Sequence, residues 1–561
     1  MDARDKMRRL LGELYPPEQA ARAFDLLTER IDAHRTVSAP LRPPLTQRDV
    51  MLIAYGDVVS APGEAPLRTL KRLLDRDLGG EITNVHLLPV CPYTSDDGFS
   101  VTDFLSVDPK LGDWPEIADL GASRGLMLDA VINHTSKSHP WFRKCLEGEP
   151  PYRDYYIEGD SDGDYSRVFR PRTSPLLTPF EAREGVKYFW TTFSDDQVDL
   201  NYHSPELLAE VAEVLLQYAR RGARFIRLDA IGFAWKEPGT RCMSLPQTHA
   251  LVRLLRLALN AAYPGVMLIT ETNVPHAENI SYFGQGDEAQ LVYQFPLPPL
   301  VMFSLLRQSA RRLTQWAGSL EQTPLPAGTT YFNFLASHDG IGVGPVQGLL
   351  DAGEQQVLLD ATLAHGGRIS YKSMPDGGSV PYELNISYMD ALTPPEADDS
   401  LRLARFMAAQ AVMLSMRGMP GIYYHSLLGS RSWREGAERS GINRRINREK
   451  LRLDALEREL SDPGSLRARV LSAYREMLRI RGTCSAFSPY AGQRVEVLDP
   501  RVFALERFDP ETGCRAWVRI NLSGDEVALD DHAAGTDLLS SDGPTDRLAP
   551  YQTRWIVERS R

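Results

Sequence analysis

Apolar positions along the chain follow two alternating rhythms. Near the start, Met7, Leu10, Leu11 and Leu14 form one stripe at helical spacing, and Ala23, Phe24, Leu26, Leu27 and Ile31 form another, with Pro16 and Pro17 between them. Residues 1 to about 35 are therefore expected to be two helices packed on a larger body, followed by a proline-rich connector over Ser38–Thr46. From Val50 onward, short apolar runs alternate with amphipathic stretches. Strands are predicted at Val50–Tyr55, Ile82–Val90, Leu126–Ile132, Phe225–Asp229, Val266–Thr270, Gln290–Phe295, Thr330–Leu335 and Gly421–Tyr424. Helices are predicted at Pro66–Leu78, Trp114–Arg124, Leu207–Ala219 and His249–Ala262.

Strand–helix alternation at this length predicts a parallel sheet, and about eight strands suit a closed (β/α)8 TIM barrel. Two interruptions are too long for ordinary connections. Residues 135–200, rich in aromatic, Arg, Asp and Pro residues, are expected to form an inserted subdomain after the third strand. Residues 340–400 follow the seventh strand and predict a second excursion over the same mouth. After about residue 487 the helical pattern stops, and runs such as Val502–Arg507, Ala516–Ile520 and Thr553–Val557 predict a small β domain over 487–561. The barrel would then occupy 49–134 and 201–486, behind an N-terminal extension and linker over 1–48.

Composition narrows the class without naming a function. A chain of 561 residues with 43% hydrophobic and 24% charged residues is of soluble globular type. A net charge of −11 argues against nucleic acid or an anionic membrane as partner, but leaves room for a small anion held by a local cluster of Arg and His. The five cysteines are scattered, odd in number and lack metal-ligand spacing, so reduced thiols are expected. The first residues lead into an amphipathic segment and no run approaches membrane-spanning length, so the cytoplasm is the expected compartment.

The chemistry gathers around Ala223–Ile231. Side chains alternate along a strand, so Phe225, Arg227 and Asp229 share one face. Alone, Arg227 and Asp229 read as a structural ion pair. Three other predicted strands also end in polar groups: Asp129-Ala-Val-Ile-Asn-His134, Thr270-Glu-Thr-Asn273 and Ser337-His-Asp-Gly340. The carboxyl ends of barrel strands face one mouth. Asp229, Glu271 and Asp339 should therefore converge there, with His134 and His338 beside them. Paired carboxylates are what glycoside chemistry needs: one attacks the anomeric carbon while another protonates the departing oxygen.

These four stretches, in this order, resemble the four short regions of the α-amylase superfamily of glycoside hydrolases and transglycosidases. The resemblance implies Asp229 as nucleophile, Glu271 as general acid/base and Asp339 as transition-state stabiliser. Arg227 would keep Asp229 ionised, Asp129 and Asn133 would support the site, and His134 and His338 would bond sugar hydroxyls. Between Asp57 and Arg448, stretches such as Ser95–Asp103 (SDDGFSVTD), Arg170-Pro-Arg172, Trp190–Asp199 and Tyr382-Glu-Leu-Asn385 look like the sucrose phosphorylase branch. That match implies that Asp96 binds the far hydroxyls of a terminal glucose and that Phe99 is its apolar platform. It also puts Arg172 and Arg448 near a phosphate acceptor. Asn443-Arg444 repeats the Asn447-Arg448 pair, so either arginine fits the pattern.

Departures from that branch bear on the acceptor. Phe233 stands where the branch has Tyr, Asn273 where it has His, and Val380-Pro-Tyr382-Glu383 replaces an Asp-x-Tyr-Gln pattern. With Glu271–His276 (ETNVPH), Ser174–Thr178 (SPLLT) and the helical extension, these look most like the glucosylglycerate phosphorylases. The resemblance implies reversible phosphorolysis of a glucosyl-glycerate by double displacement, with inorganic phosphate as co-substrate and neither metal nor other cofactor. It places Tyr382, Glu383 and Asn273 at the acceptor, and Arg431 and Arg434 are candidates to hold its carboxylate. Glucosylglycerol, sucrose 6′-phosphate or sucrose as substrate, and plain hydrolysis, stay open. A barrel that only binds sugar would lack one of the three acids. The expected partners are a small α-glucoside and phosphate; the oligomeric state, a homodimer included, is open.

Overall fold

The structure is a computed structural model that describes residues 2–35, 43–374, 377–529, 533, 535–540 and 546–558. Its centre is a closed barrel of eight parallel strands: β1 (Met51–Ala54), β2 (Asn84–Leu87), β3 (Gly125–Ala130), β4 (Ala223–Leu228), β5 (Met267–Thr270), β6 (Leu291–Tyr293), β7 (Thr330–Phe334) and β8 (Met419–Tyr423). Each strand pairs with the next, and β8 closes on β1 with Met51 opposite Gly421. All eight fall within the runs that the apolar pattern predicts or overlap them. Buried on both faces, they read as near-continuous apolar segments, as parallel strands wrapped by helices must. Gly421 is required by packing: a Cβ there would stand 2.3 Å from the Phe332 ring.

Helices cover the outside. Pro205–Arg220 starts at Ser204, whose hydroxyl accepts from the Leu207 amide at 3.2 Å, and buries a continuous apolar face before delivering the chain into β4. The two N-terminal helices, α1 (Ala3–Leu14) and α2 (Pro17–His34), lie against Pro205–Arg220 and Pro246–Ala262 on the outer wall. Met7, Leu10, Leu11 and Leu14 are buried there, as their spacing predicts. Polar pairs fix the docking: Arg30 to Glu210 at 2.9 Å, His34 to Glu213 at 3.0 Å, and the Tyr15 hydroxyl donating to the Tyr202 carbonyl at 2.8 Å. The connector expected over Ser38–Thr46 lies outside the described residues up to residue 42.

Two excursions rise over the carboxyl ends of the strands. The first, after β3, contains the antiparallel pair His134–Ser136 and Gln197–Asp199 and the hairpin Leu177–Ala182 with Gly185–Trp190. The second, after β7, is a three-stranded antiparallel sheet of Ile341–Gly342, Ser379–Asn385 and Arg368–Ser373. At the far end of the chain, a five-stranded antiparallel sheet packs against the barrel. Trp555 anchors it: fully buried, its ring lies 4.7 Å from that of Phe487 and its Nε1 donates to the Ser415 hydroxyl at 2.9 Å. Arg507 adds donations to the carbonyls of Ser415 and Ser488, each at 2.8 Å. All five cysteines are free thiols. Among the described residues no helix is long and apolar enough to cross a membrane.

Trp555→Ala should leave a cavity between the sheet and the helix Asp399–Ser415 and cost about 3–5 kcal/mol. The check is a lower urea midpoint with the barrel's far-ultraviolet circular dichroism retained before the transition.

Candidate active site

The site grows from the ends of β3, β4, β5 and β7. Alternation along β4 sends Arg227 and Asp229 to the barrel axis, and parallel pairing sets Asp129 of β3 directly beside Arg227. The Arg227 guanidinium donates to Asp129 and, at 2.7 Å, to Asp229 Oδ1, while its other Nη lies 3.9 Å from Glu271. On the far side of Asp129, His86 of β2 bonds its second oxygen at 2.7 Å. Burial works against the Asp129 charge, but Arg227 and then His86 hold its pKa down to about 2. Sequence reading missed His86. Its place on β2 is the available signal, because the register puts it opposite Met127 and within reach of Asp129.

Asp229, Glu271 and Asp339 line one cavity of about 1090 Å³ together with Asp96, Phe99, His134, Arg172, Asn273, His338, Tyr382 and Glu383. Among the residues singled out from sequence, Asp129, Asn133, Arg227, Val380, Arg431, Arg434 and Arg448 are absent from its lining. Arg227 belongs beneath the floor, where it was expected to act.

Burial raises the Asp229 carboxyl; Arg227 opposes this, and the nearby charges of Glu271, Asp129 and Asp339 add to it. Burial also raises Glu271. Two buried acids so placed titrate as a coupled pair rather than independently. Arg227 touches Asp229 and stands farther from Glu271, so its charge favours ionisation of Asp229 over that of Glu271. Glu271 also accepts the Ala230 amide at 3.1 Å, which turns toward it because Ala230 sits at φ 48°. That conformation is costly for a residue with a Cβ and is stored beside Asp229. Burial pushes Asp339 up, but Arg444, His338 and Arg448 outweigh it and hold the carboxyl below the usual carboxylate range.

His338 stacks on Phe99, with ring centroids 4.8 Å apart and planes 6° from parallel. Burial keeps its pKa near 3, so it faces the cavity as neutral imidazole. His134 donates to the Phe99 carbonyl at 2.9 Å, which orients the platform. Asp96 and Asp97 occupy left-handed backbone at φ 51° and 48°, a strained turn that presents the Asp96 carboxylate to the cavity.

The arginine assignments need correction. Arg448 is 2% exposed and sits behind the cavity wall, donating to the His338 carbonyl at 2.9 Å and to Asp97 at 2.8 Å. Its Nε and Nη1 hold the chain beside Asp339 and the Asp96–Asp97 turn. Arg444 lines the cavity instead, paired with Asp339 at 2.7 Å and bidentate on Glu383. Glu383 is thereby tied to Arg444. Arg431 and Arg434 do not reach the cavity: Arg431 pairs with Asp390, and Arg434 donates to the His365 carbonyl at 2.9 Å. Arg172 does line the cavity, with its guanidinium 5.6 Å from the Phe193 ring and 5.7 Å from that of Tyr382. Asn273 Oδ1 is buried without a hydrogen-bond partner among the described residues, a free acceptor in the cavity wall. No group of three or more His, Cys, Asp or Glu among the described residues is arranged to hold a metal ion.

Comparison with known proteins agrees with this geometry. Residues 76–348 match the family model for the α-amylase catalytic domain. Glucosylglycerate phosphorylase of Allomeiothermus silvanus is 48% identical over 517 residues, covering 91% of this chain and 92% of that protein. Its namesake from Escherichia coli is 41% identical over 560 residues, 99% of this chain and 100% of that protein. The chain belongs to the α-amylase family. Among solved members, sucrose 6F-phosphate phosphorylase from Thermoanaerobacter thermosaccharolyticum shares the fold, with a TM-score of 0.73 at 24% identity over 85% of this chain and 94% of that one.

Within this family frame, Arg227→Met would strip the counter-charge from three buried carboxylates. Turnover is expected to fall on the order of 10²-fold. Without the guanidinium Asp229 ionises less readily, so the acidic limb of the residual pH–rate profile should move to higher pH. A profile of unchanged position would show that Arg227 does not set the ionisation of Asp229.

Proposed function

We propose that this chain is a retaining glucosylglycerate phosphorylase. The observation that carries the reaction type is that Asp229 and Glu271 lie close enough to be reached by one guanidinium, 2.7 and 3.9 Å from Arg227. Two carboxyl groups gathered on one cavity suit attack on the anomeric carbon by one and protonation of the departing oxygen by the other. Glu271 donates its proton to the glycosidic oxygen as Asp229 attacks the anomeric carbon, and glycerate leaves with that proton. The glucosyl ester on Asp229 is then displaced by phosphate, whose proton returns to Glu271, and the product is α-glucose 1-phosphate. Two inversions retain the anomeric configuration. Asp339, kept ionised by Arg444, faces the positive charge that develops on the sugar ring.

Phosphate and glycerate are both anions, and both must enter a cavity built around carboxylates. Arg172 supports that traffic, since it lines the cavity and its only polar partner among the described residues is the adjacent Pro171 carbonyl, at 3.2 Å. The names carried by relatives at 41% and 48% identity over nearly the whole chain support glycerate as the acceptor. On this reading the enzyme uses inorganic phosphate as co-substrate without a further cofactor, and works in the cytoplasm on a small α-glucoside.

The test is α-glucose 1-phosphate release from glucosylglycerate, glucosylglycerol, sucrose and sucrose 6′-phosphate, each with and without phosphate. Phosphate-dependent release chiefly from glucosylglycerate is expected; glucose release without phosphate would make the enzyme a hydrolase. Asp229→Ala should lower turnover by about 10⁴-fold or more, and a mutant that keeps substantial activity would remove the nucleophile assignment.

A further inference from the structure

The strands Arg368–Ser373 and Ser379–Asn385 pair with Lys372 opposite Val380. Their register slips between Ser370 and Tyr371, where Glu383 and Pro381 are the successive partners, so Tyr382 is the extra residue of a β-bulge. Bulges re-aim a side chain, and this one carries the Tyr382 ring into the cavity wall. Lys372 Nζ lies 4.8 Å from the centroid of Phe169 and 5.9 Å from that of Tyr382, and both rings line the cavity. Arg172 approaches the same Tyr382 ring at 5.7 Å. Two cations thus reach one aromatic ring of the cavity wall, each carried by a different excursion: Arg172 lines the cavity itself, whereas Lys372 is not one of its lining residues and meets it through the Phe169 and Tyr382 rings.

Charge accounting sets these two apart. Arg444 is met by Asp339 and Glu383, Arg448 by Asp97, and Arg241 lies 3.6 Å from Glu278. Among the described residues neither Lys372 nor Arg172 forms an ion pair with a carboxylate. Val380, directly across from Lys372, offers no charge. Burial and then the Arg241 guanidinium press the Lys372 ammonium below the usual lysine range, a cost that an arriving anion would relieve.

We propose that Lys372, acting with Arg172 at the Tyr382 ring, is the specificity residue that holds the carboxylate of the glycerate leaving group. The assignment rests on the phosphorolysis reading above. Arg172 lines the cavity itself, and its planar fork matches phosphate; the ammonium of Lys372, on a flexible stem from the outer wall, supplies a point charge for a carboxylate.

The experiment compares wild type, Lys372→Met, Lys372→Arg and Val380→Asp, with KM and kcat measured for glucosylglycerate, for its neutral analogue glucosylglycerol, and for phosphate. Lys372→Met is expected to raise KM for glucosylglycerate about tenfold, as loss of a charge-assisted contact should. KM for glucosylglycerol and for phosphate should change far less. Val380→Asp, which sets a carboxylate opposite Lys372, should act in the same direction without removing the lysine, and Lys372→Arg should recover most of the preference. Equal weakening of both donors, or a rise confined to phosphate, overturns the assignment while phosphorolysis stands. Wild-type enzyme with no phosphate-dependent release from glucosylglycerate would bring down the functional reading and this assignment together.

Discussion

One buried guanidinium holds the centre of the molecule together. Arg227 bonds Asp129 and Asp229 and approaches Glu271, at a place where water supplies almost no screening. Three carboxylates this close, this deep in a barrel, would otherwise repel one another or take up protons. With Arg227 present, Asp129 stays ionised as a fixed base for the arrangement, and the guanidinium favours the charge of Asp229, which it touches, over that of Glu271, which stands farther away. The division of labour between two chemically similar acids is set by a difference of about one ångström in their distance to a single cation.

The same logic repeats outward through the cavity wall. Asp339 is answered by Arg444, Glu383 also by Arg444, and the Asp96–Asp97 turn by Arg448 and Arg445. Each acid that faces substrate has a guanidinium behind or beside it, and each of those guanidiniums is spent on that task. Among the described residues Arg172 and Lys372 form no ion pair, and both approach the Tyr382 ring of the cavity wall. Strain is concentrated in the same region: Ala230, Asp96 and Asp97 all adopt left-handed backbone, and each of these turns carries or adjoins a carboxylate that faces the cavity. The anchored outer helices and the C-terminal sheet pack on the barrel's other surfaces, which supply the rigidity that such strain requires.

The barrel and its acids were legible because they depend on local rules. A run such as Leu126–Ile132 is apolar throughout since both faces of a parallel strand are covered, and period-two alternation then assigns Arg227 and Asp229 to one side. The acceptor end was far less legible. Arg444 and Arg448 each follow an asparagine in neighbouring turns, and nothing in their immediate neighbours separates them. Their roles diverge because the turn Asn443–Asn447 passes the cavity mouth and leaves Arg448 to reach back toward Asp97. Arg431 and Arg434 looked available as free cations. Asp390 and the His365 carbonyl, both dozens of residues away in the chain, had already claimed them.

The amino-acid sequence by itself therefore determined the barrel, the order of its strands and which acids gather at its mouth. Strand periodicity and the common direction of parallel strands are enough to bring Asp229, Glu271 and Asp339 to one mouth. Only the tertiary structure decided which charges are free. Whether a cation can serve an incoming anion depends on whether a carboxylate already neutralises it, and those partners arrive from distant segments: Glu383 to Arg444 and Asp97 to Arg448, while Phe169 and Tyr382 flank a Lys372 that pairs with no acid among the described residues. Pairing energy falls off with spatial separation, not with separation along the chain, so no local pattern could assign it.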